Sequence, residues 1–235
     1  PKVNGESFIT GKHRFASDMK LPGMLHGKIL RAPSFGAVLT SVDASAARKM
    51  KGVVVVEDGD FIGVAAPDVQ TAQQAIESIR AEWKTVPRPG RAQIFSHLKE
   101  TAESAAGRGD DTSGDVSTVF SKATIRLEHT FEVDYIAHAP LEPRAGLAEW
   151  KDGRLNVWTG TQRPFGVQED LAEVFNMSKD NIRVIQPDTG SGYGGKHTGE
   201  AGIEAARLAQ EAKKPVKDVW SREEGFMWAY LRPAG

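Results

Sequence analysis

The stretch "VIQPDTGSGYGGKHTGE" at residues 184–200 constrains the fold of this chain more than any other part of the sequence. It contains Gly190, Gly192, Gly194 and Gly195, and it connects a β-prone run, "NIRVIQP", to a helix-prone run, "EAGIEAARLAQEAKK". Glycine is favoured where the backbone must turn sharply or approach another group closely. The sequence therefore predicts a strand, a tight loop and a helix, with the loop lying close either to a ligand or to another part of the chain.

Composition excludes several classes of function. The chain has 235 residues and 40% hydrophobic content, enough for one large or two ordinary domains with a substantial core. Thirty basic and 31 acidic side chains give no electrostatic reason to expect nucleic acid or an anionic membrane surface as a partner. No apolar run is long enough to span a membrane. The absence of cysteine excludes disulfides, thiolate-bound zinc and iron–sulfur ligation by this chain.

The first part of the chain reads as a compact α+β unit. Short β-prone runs and two helical segments alternate over residues 25–84, and Asp68 is placed to cap the second helix. Residues 103–117 are poor in large apolar side chains and rich in Gly, Asp and Ser. We therefore predict a domain at 1–105, an exposed and protease-sensitive linker at 106–117, and a second domain at 118–235.

The second part also combines strands and helices. Apolar and polar residues alternate over "ATIRLEHTFEVDY", residues 123–135, which predicts a strand with one buried face. Further predictions are a hairpin turn at Asp152–Gly153, a helix with Pro164 near its start, a strand at 182–187, a helix at 200–213, a strand over "PVKDVW", and a capping box formed by Ser221 and Glu224. The fold class predicted for the whole chain is α+β.

The glycine-rich stretch matches two phosphate-binding templates only in part. As a P-loop it has Lys196 in place, but His197 stands where a Ser or Thr must bind Mg²⁺. As a dinucleotide fingerprint its glycines fit, and Asp218 lies at about the right distance downstream, but too little sequence follows to complete a doubly wound sheet. A purely structural turn, forced by close packing of helix and strand, is the third reading.

Three motifs together point to a family. "HAPLEP" at 138–143, "GTQRPF" at 160–165 and "GSGYGGKH" at 190–197 are spaced in a way that resembles the molybdenum hydroxylases, the xanthine dehydrogenase and aldehyde oxidase family. The stretch at 9–43 resembles the α/β-hammerhead domain of that family, and the rest resembles the first part of its molybdopterin-binding domain. The "HAPLEP" form and the "LRPAG" end resemble the bacterial isoquinoline 1-oxidoreductase β-subunit type.

This resemblance implies a molybdenum site whose metal is bound by a pterin, expected in its cytosine dinucleotide form, so that no cysteine is needed. It implies that Gln162 hydrogen-bonds an oxo ligand of the metal. It also implies that the backbone of Gly192, Tyr193, Gly194 and Gly195 approaches the cofactor, since side-chain amides and glycine backbone both present N–H groups to anionic ligands. Without the motifs, Gln162 reads as a helix-entry residue hydrogen-bonded to local backbone.

Two departures from the family pattern bear on function. His197 stands where xanthine-oxidising members have a glutamate, which disfavours a purine and makes His197 either a substrate-pocket candidate or an ordinary helix-start residue. The family's catalytic glutamate belongs to a C-terminal region that this sequence lacks, so the chain is expected to be a fragment that alone is inactive and binds no cofactor. His138 and Glu142 could suggest a base, but the two prolines of "HAPLEP" favour a turn beside the site.

The resulting hypothesis is a piece of a bacterial enzyme that hydroxylates a small N-heterocycle or aldehyde with oxygen from water and passes electrons to an iron–sulfur or haem subunit. The alternatives are a nucleotide-phosphate-binding module and a non-catalytic assembly subunit. The first requires Gln162 and Tyr193 to face one cleft, the second requires Lys196 to reach the anion, and the third requires neither. The sequence leaves the compartment open between cytoplasm and periplasm.

Overall fold

The computed structural model describes residues 3–102, 113–229 and 231–234, and it has an α+β fold. The strands are β1 (Leu25–Ile29), β2 (Val38–Asp43), β3 (Val54–Asp58), β4 (Phe61–Ala66), β5 (Arg80–Lys84), β6 (Ala145–Lys151), β7 (Arg154–Thr159), β8 (Ile182–Ile185) and β9 (Val216–Val219). The helices are α1 (Gly5–Ile9), α2 (Ser45–Arg48), α3 (Val69–Glu77), α4 (Ile94–Glu100), α5 (Val116–Lys122), α6 (Pro164–Phe175), α7 (Glu200–Ala212) and α8 (Arg222–Met227). None of these helices is long and apolar enough to cross a membrane.

The chain forms two compact units. One contains Pro1–Val86 and Ala137–Leu231, and the other contains Pro87–Ile136 and Arg232–Gly235. The first unit is built on a seven-stranded mixed sheet with the order β3-β4-β1-β9-β6-β7-β8, in which β1 runs parallel to β9. Strands from both sides of the predicted linker therefore share one sheet. The division at 106–117 stays a prediction, and most of that linker lies outside the described residues.

Helix α7 packs against the sheet through small residues. Its buried face consists of Ala201, Gly202, Ala205, Ala206, Leu208 and Ala209. The approach is closest at Gly146 of β6, where an added Cβ atom would overlap the carbonyl oxygen of Ala201 and lie 2.6 Å from the amide nitrogen of Gly202. The contact fixes where α7 begins, and so fixes the end of the glycine-rich segment that precedes it.

The local predictions are confirmed where short-range chemistry determines structure. Asp68 caps α3 by accepting a hydrogen bond from the Thr71 amide at 2.8 Å. Asp152 and Gly153 both have positive φ, 51° and 73°, and connect β6 to β7 as a tight hairpin. Helix α6 begins at Pro164, and Ser221 and Glu224 form the reciprocal capping box of α8.

The predicted strand at 123–135 is wrong. In the described part of the chain these residues form no ladder, and a single bridge, between Ile136 and Arg232, follows them. The apolar residues of the alternating pattern are exposed: Ile125 by 79%, Leu127 by 77% and Phe131 by 83%. Alternation reports an amphipathic extended segment, but a strand also needs a neighbour that accepts and donates its backbone hydrogen bonds, and that neighbour is not encoded locally.

Candidate functional site

Three sequence motifs meet at one edge of the seven-stranded sheet. "HAPLEP" precedes β6, "GTQRPF" follows β7, and the glycine loop, defined here as residues 186–199, follows β8. Strand β6 is antiparallel to β7, and β7 is parallel to β8. The start of β6 therefore lies beside the ends of β7 and β8, and the topology brings the three motifs together.

The glycine loop contains a run of backbone in the left-handed region. Ser191 has φ 82°, Tyr193 has φ 55° and Gly194 has φ 92°. A left-handed conformation costs a non-glycine residue about 1–3 kcal/mol, so it persists only where surrounding contacts hold it. Turns that contain such residues are typical of concave backbone surfaces whose N–H groups bind anions.

Gln162 is bound to this loop by three hydrogen bonds. Its backbone N–H donates to the Lys196 carbonyl at 2.8 Å. Its side-chain oxygen Oε1 accepts from the Gly194 amide at 3.0 Å and from the Lys196 amide at 3.3 Å. Because both partners are donors, the bonding atom is the amide oxygen, and Nε2 with its two hydrogens remains on the other side of the group.

The same contacts bring Gln162 next to Tyr193. A Cβ atom on Gly192 would lie 2.7 Å from Gln162 Oε1, and Gly194 is hydrogen-bonded to that atom, so both neighbours of Tyr193 contact the glutamine. The side chain of Gln162 and that of Tyr193 are both exposed. Gln162 and Tyr193 are therefore neighbours, and that they face one cleft stays a prediction.

A buried ion pair holds the glycine loop at two points, Gly190 and Lys196. Glu142 Oε2 accepts from the Gly190 amide at 2.8 Å and from Lys196 Nζ at 2.7 Å. The two side chains are 8% and 1% exposed. Burial lowers the pKa of Lys196, and the hydrogen bond to Glu142 opposes that shift. Because its ammonium group is buried and paired, Lys196 cannot reach a phosphate, which argues against the nucleotide-phosphate-binding alternative.

A third side chain binds the loop from the start of the sheet. Arg144, which is 6% exposed, donates a hydrogen bond from Nη2 to the Gly195 carbonyl. Its guanidinium group lies 5.6 Å from the centre of the Trp220 ring, and its Nε is 3.7 Å from a carboxylate oxygen of Glu200. Burial lowers the pKa of Arg144, and Glu200 opposes that shift. Glu142 and Gln162 accept hydrogen bonds from loop amides, and Arg144 donates one to a loop carbonyl, so the three side chains fix the loop through both kinds of backbone group.

The close approaches of the glycines are made mainly to the protein itself. A Cβ atom on Gly190 would lie 2.8 Å from Glu142, and one on Gly195 would lie 2.8 Å from the His138 ring; the corresponding contact of Gly192 is with Gln162. Only Gly194, whose nearest such neighbour is 3.6 Å away, is required chiefly by its left-handed φ. Three of the four glycines are therefore explained by packing against the other two motifs.

Two hydroxyl groups of the loop have no partner among the described residues. Ser191 Oγ and Thr198 Oγ1 are buried atoms without a hydrogen bond. Helix α7 begins immediately afterwards, and its N-cap residue, Gly199, provides no side-chain cap. Orphaned hydroxyls beside an uncapped helix N-terminus fit an anionic ligand, because both supply donors to it. His197, between them, is exposed.

Asp218 does not belong to this site. It lies in β9 between β1 and β6, is 2% exposed, and its pKa is raised well above the ordinary aspartate value, first by burial and then by the charge of Glu204. A carboxyl group in the middle of a sheet cannot bind a ribose hydroxyl. The dinucleotide reading of the glycine motif is therefore wrong on this residue as well as on the topology, which is a mixed sheet.

The importance of Glu142 and Arg144 was not predicted from the sequence. Glu142 was interpreted as part of a turn, and the irregular backbone of its segment, with Ala139 at φ 44°, agrees with a turn beside the loop. The sequence did contain a signal: Glu142 and Arg144 stand directly before the apolar strand β6, and the glycine-rich motif contains a lysine, Lys196, of opposite charge to Glu142. Buried charges of this kind are normally paired.

The curated proteins include relatives over nearly the whole chain. A nicotinate dehydrogenase component of Pseudomonas putida is 29% identical over 97% of this chain and 20% of its own length. The β-subunit of isoquinoline 1-oxidoreductase from Brevundimonas diminuta is 28% identical over 95% of this chain and 29% of its own length. The nicotinate dehydrogenase large molybdopterin subunit of Eubacterium barkeri, also 28% identical, is covered over 60% of its length. The chain thus spans less than two thirds of each.

Solved structures show the same fold. CO dehydrogenase from Oligotropha carboxidovorans matches 99% of this chain and 36% of its own, with a TM-score of 0.82 and 22% identity. Aldehyde oxidoreductase from Desulfovibrio gigas matches 99% of this chain and 31% of its own, with a TM-score of 0.81 and 19% identity. The family model of the molybdopterin cofactor-binding domain matches residues 98–234, more than half of the sequence. The chain belongs to the molybdopterin cofactor-binding domain family of the molybdenum hydroxylases.

Proposed function

We propose that the chain forms part of the molybdopterin-binding large subunit of a bacterial hydroxylase. The overall reaction is insertion of oxygen from water into a C–H bond, so that R–H and H₂O give R–OH, two protons and two electrons. The electrons pass to an iron–sulfur or haem subunit. One observation carries the proposal: Gln162 and the glycine loop, which contains Tyr193, meet at one edge of the sheet, and both belong to motifs that resemble those of the family.

The residues at this edge fit the expected cofactor. The Gly194 amide already donates to Gln162, so the donors offered to an anionic group are the Ser191 and Thr198 hydroxyls, which have no partner among the described residues, and the left-handed backbone at Tyr193. Among the described residues no cluster of His, Asp or Glu could hold a metal directly, so the protein's part is to bind and orient the pterin. When bound, the molybdenum–pterin group supplies the two-electron redox chemistry that amino-acid side chains lack. The cytosine dinucleotide form is our proposal for its nucleotide.

Gln162 is proposed to orient the reacting end of the site. Its oxygen is committed to two loop amides, so its Nε2 hydrogens are the part that can donate to an oxo group or to a substrate. A donor fixed in advance costs no reorganisation during the reaction, which is the basis of electrostatic preorganisation. In this arrangement Gly192, Tyr193, Gly194 and Gly195 bring backbone to the cofactor edge.

The substrate proposed is a small N-heterocycle or an aldehyde. Nicotinate dehydrogenase and isoquinoline 1-oxidoreductase, whose names specify heterocycles, are among the relatives, and the molybdenum-binding component of an Escherichia coli aldehyde oxidoreductase is another. Exposed His197 lies in the loop and is proposed to face the substrate, where an imidazole can donate or accept a hydrogen bond. The 235-residue chain by itself is proposed to bind no cofactor and to have no activity, because a pterin needs enclosure by several segments.

The test is made on the full-length protein, co-expressed with the proposed electron-transfer subunit. Molybdenum and pterin content are measured, followed by turnover of nicotinate, isoquinoline and an aldehyde in ¹⁸O-labelled water. We expect stoichiometric molybdenum, labelled product, and a Gln162→Ala variant that keeps the pterin while losing on the order of 1–3 kcal/mol of transition-state stabilisation, or about five- to 150-fold in rate.

Gln168→Ala is the matched control, because the Gln168 side chain donates hydrogen bonds to the carbonyls of Lys179 and of Ile182, the first residue of β8, whereas the glycine loop follows the end of β8. A full-length protein without molybdenum would leave the assembly-subunit alternative and refute the enzyme proposal.

A further inference from the structure

We propose that Glu142 and Lys196 are positioning residues, whose buried ion pair fixes the orientation of the Gln162 amide. The inference rests on the proposed function for its consequence in turnover, but its structural part concerns only this chain. Neither residue carries an exposed group that could contact a substrate, since their side chains are 8% and 1% exposed. Their effect must therefore pass through the groups to which they are bonded.

Lys196 joins the two motifs to the loop through all of its polar groups. Its carbonyl accepts from the Gln162 amide at 2.8 Å and from the Thr161 hydroxyl at 3.2 Å. Its own amide donates to Gln162 Oε1 at 3.3 Å, and its ammonium group donates to Glu142 at 2.7 Å. Moving the Lys196 side chain therefore moves the backbone that holds Gln162 at both its main chain and its side chain.

Glu142 holds the loop at Gly190 and at Lys196 at the same time. Its oxygen Oε2 accepts from the Gly190 amide and from Lys196, so that one carboxylate atom connects the first glycine to the residue after the last one. Oε1 of the same carboxylate is buried without a hydrogen bond in the described part of the chain. A carboxylate with one unsatisfied oxygen depends strongly on its cationic partner, because burial makes the loss of that charge costly.

The geometry determines which substitution separates positioning from mere stability. Glu142→Gln keeps the shape and an amide oxygen for Gly190, but it removes the charge that binds Lys196. Glu142→Gln combined with Lys196→Met removes both charges at similar volume, which proteins tolerate better than one unpaired buried charge. Glu169→Gln is the control, because it removes the exposed ion pair between Glu169 of α6 and Lys179, neither of which makes any of the loop contacts described above.

The experiment uses the full-length protein with its partner subunits and has two readouts. The first is hydrogen exchange of the Gly190, Gly194 and Lys196 amides. The second is the separate measurement of kcat and KM. For Glu142→Gln we expect exchange to rise about ten-fold or more, because a charge-assisted hydrogen bond is lost. We expect kcat to fall about as far as in Gln162→Ala, with KM within about two-fold of wild type, since only an interaction used in the transition state is affected.

The double variant Glu142→Gln/Gln162→Ala decides whether the effect passes through the glutamine. If it does, the double variant is no slower than the slower single variant. Two results overturn the proposal: the two single effects on kcat multiply in the double variant, or Glu142→Gln has the same exchange rates and kcat as the control Glu169→Gln. If Glu142→Gln does not fold, the charge-free double variant with Lys196→Met gives the same exchange test, and protection of Gly194 equal to wild type again overturns it. A wild-type protein without molybdenum refutes the proposed function, while the exchange rates still decide the positioning role.

Discussion

Replacing Gly146 by alanine tests whether the close contact between β6 and α7 determines the position of the glycine loop. An added Cβ atom would overlap the Ala201 carbonyl and lie 2.6 Å from the Gly202 nitrogen. Ordinary van der Waals contact begins at 3.4 Å, so the contact with the Gly202 nitrogen alone requires α7 to move away from β6 by about 0.8 Å. Backbone atoms cannot rotate away as a side chain can, and α7 buries six residues on this face.

The expected cost follows from that geometry. Inserting a methyl group into a packed core costs about 1–3 kcal/mol, and an obstruction made entirely of helix backbone belongs at the upper end, about 3 kcal/mol. For a chain of this size each kcal/mol lowers the melting temperature by roughly 2–4 °C, so Gly146→Ala should melt about 6–12 °C below wild type. Thermal unfolding followed by circular dichroism measures the shift, and hydrogen exchange in β6 assigns it to the unit that contains the sheet.

Gly225→Ala is the matched control. Gly225 lies in α8, and its added Cβ atom would meet nothing within 4 Å. Alanine is the better helix former by about 0.5–1 kcal/mol, so this variant should be unchanged or slightly more stable. If Gly146→Ala melted within about 2 °C of Gly225→Ala, α7 would not be held by this contact, and the argument that it fixes the start of α7 and the end of the loop would fail.

Two further predictions concern the loop and the sheet. In the full-length protein, Gly194→Val should lower molybdenum content, because Gly194 has φ 92° and valine resists a left-handed conformation. The control is Gly11→Val, which introduces the same kind of strain at φ 68°, with nothing within 4 Å of the added Cβ atom. Equal molybdenum loss in the two variants would contradict the prediction. Burial raises the pKa of Asp218 in the folded protein, so the folded state favours the protonated form, and stability should fall as pH rises above the ordinary aspartate value and through the folded value. Asp218→Asn imitates the protonated group, so in denaturant unfolding it should lose less stability than wild type as the pH rises from the ordinary aspartate value. Parallel pH profiles would show that Asp218 does not titrate in this way.

The parts of the fold that could be predicted are those determined by neighbours in sequence. The start of α3 at Asp68, the hairpin at Asp152–Gly153, the start of α6 at Pro164 and the cap of α8 each follow from side chains close in sequence to the backbone groups they affect. The pairing of β1 with β9 joins Leu25 to Val216, at opposite ends of the chain, and has no local signal. The strand predicted at 123–135 failed for the same reason, because alternation does not specify a partner.

The site was predictable to the extent that topology follows from a hairpin. Once Asp152 and Gly153 turn β6 back on β7, the residues before β6 must lie beside those after β7, so "HAPLEP" and "GTQRPF" become neighbours. The parallel pairing of β7 with β8, which brings the glycine loop to the same edge, needs the crossover through α6 and could not be read from spacing alone. The expectation that the glycine loop lies beside the other two motifs came from the resemblance to a known family.

The contacts that the loop glycines make within the protein explain why these glycines do not by themselves identify a ligand site. Gly190, Gly192 and Gly195 are required by side chains of the two neighbouring motifs, so any protein with this packing would need them, whether or not it bound a cofactor. What a purely structural turn does not require is Tyr193 in a left-handed conformation with a 71% exposed side chain, or buried hydroxyls at Ser191 and Thr198 without partners among the described residues. Strain and unsatisfied donors are costs that packing alone would remove, so they are the features that indicate a ligand.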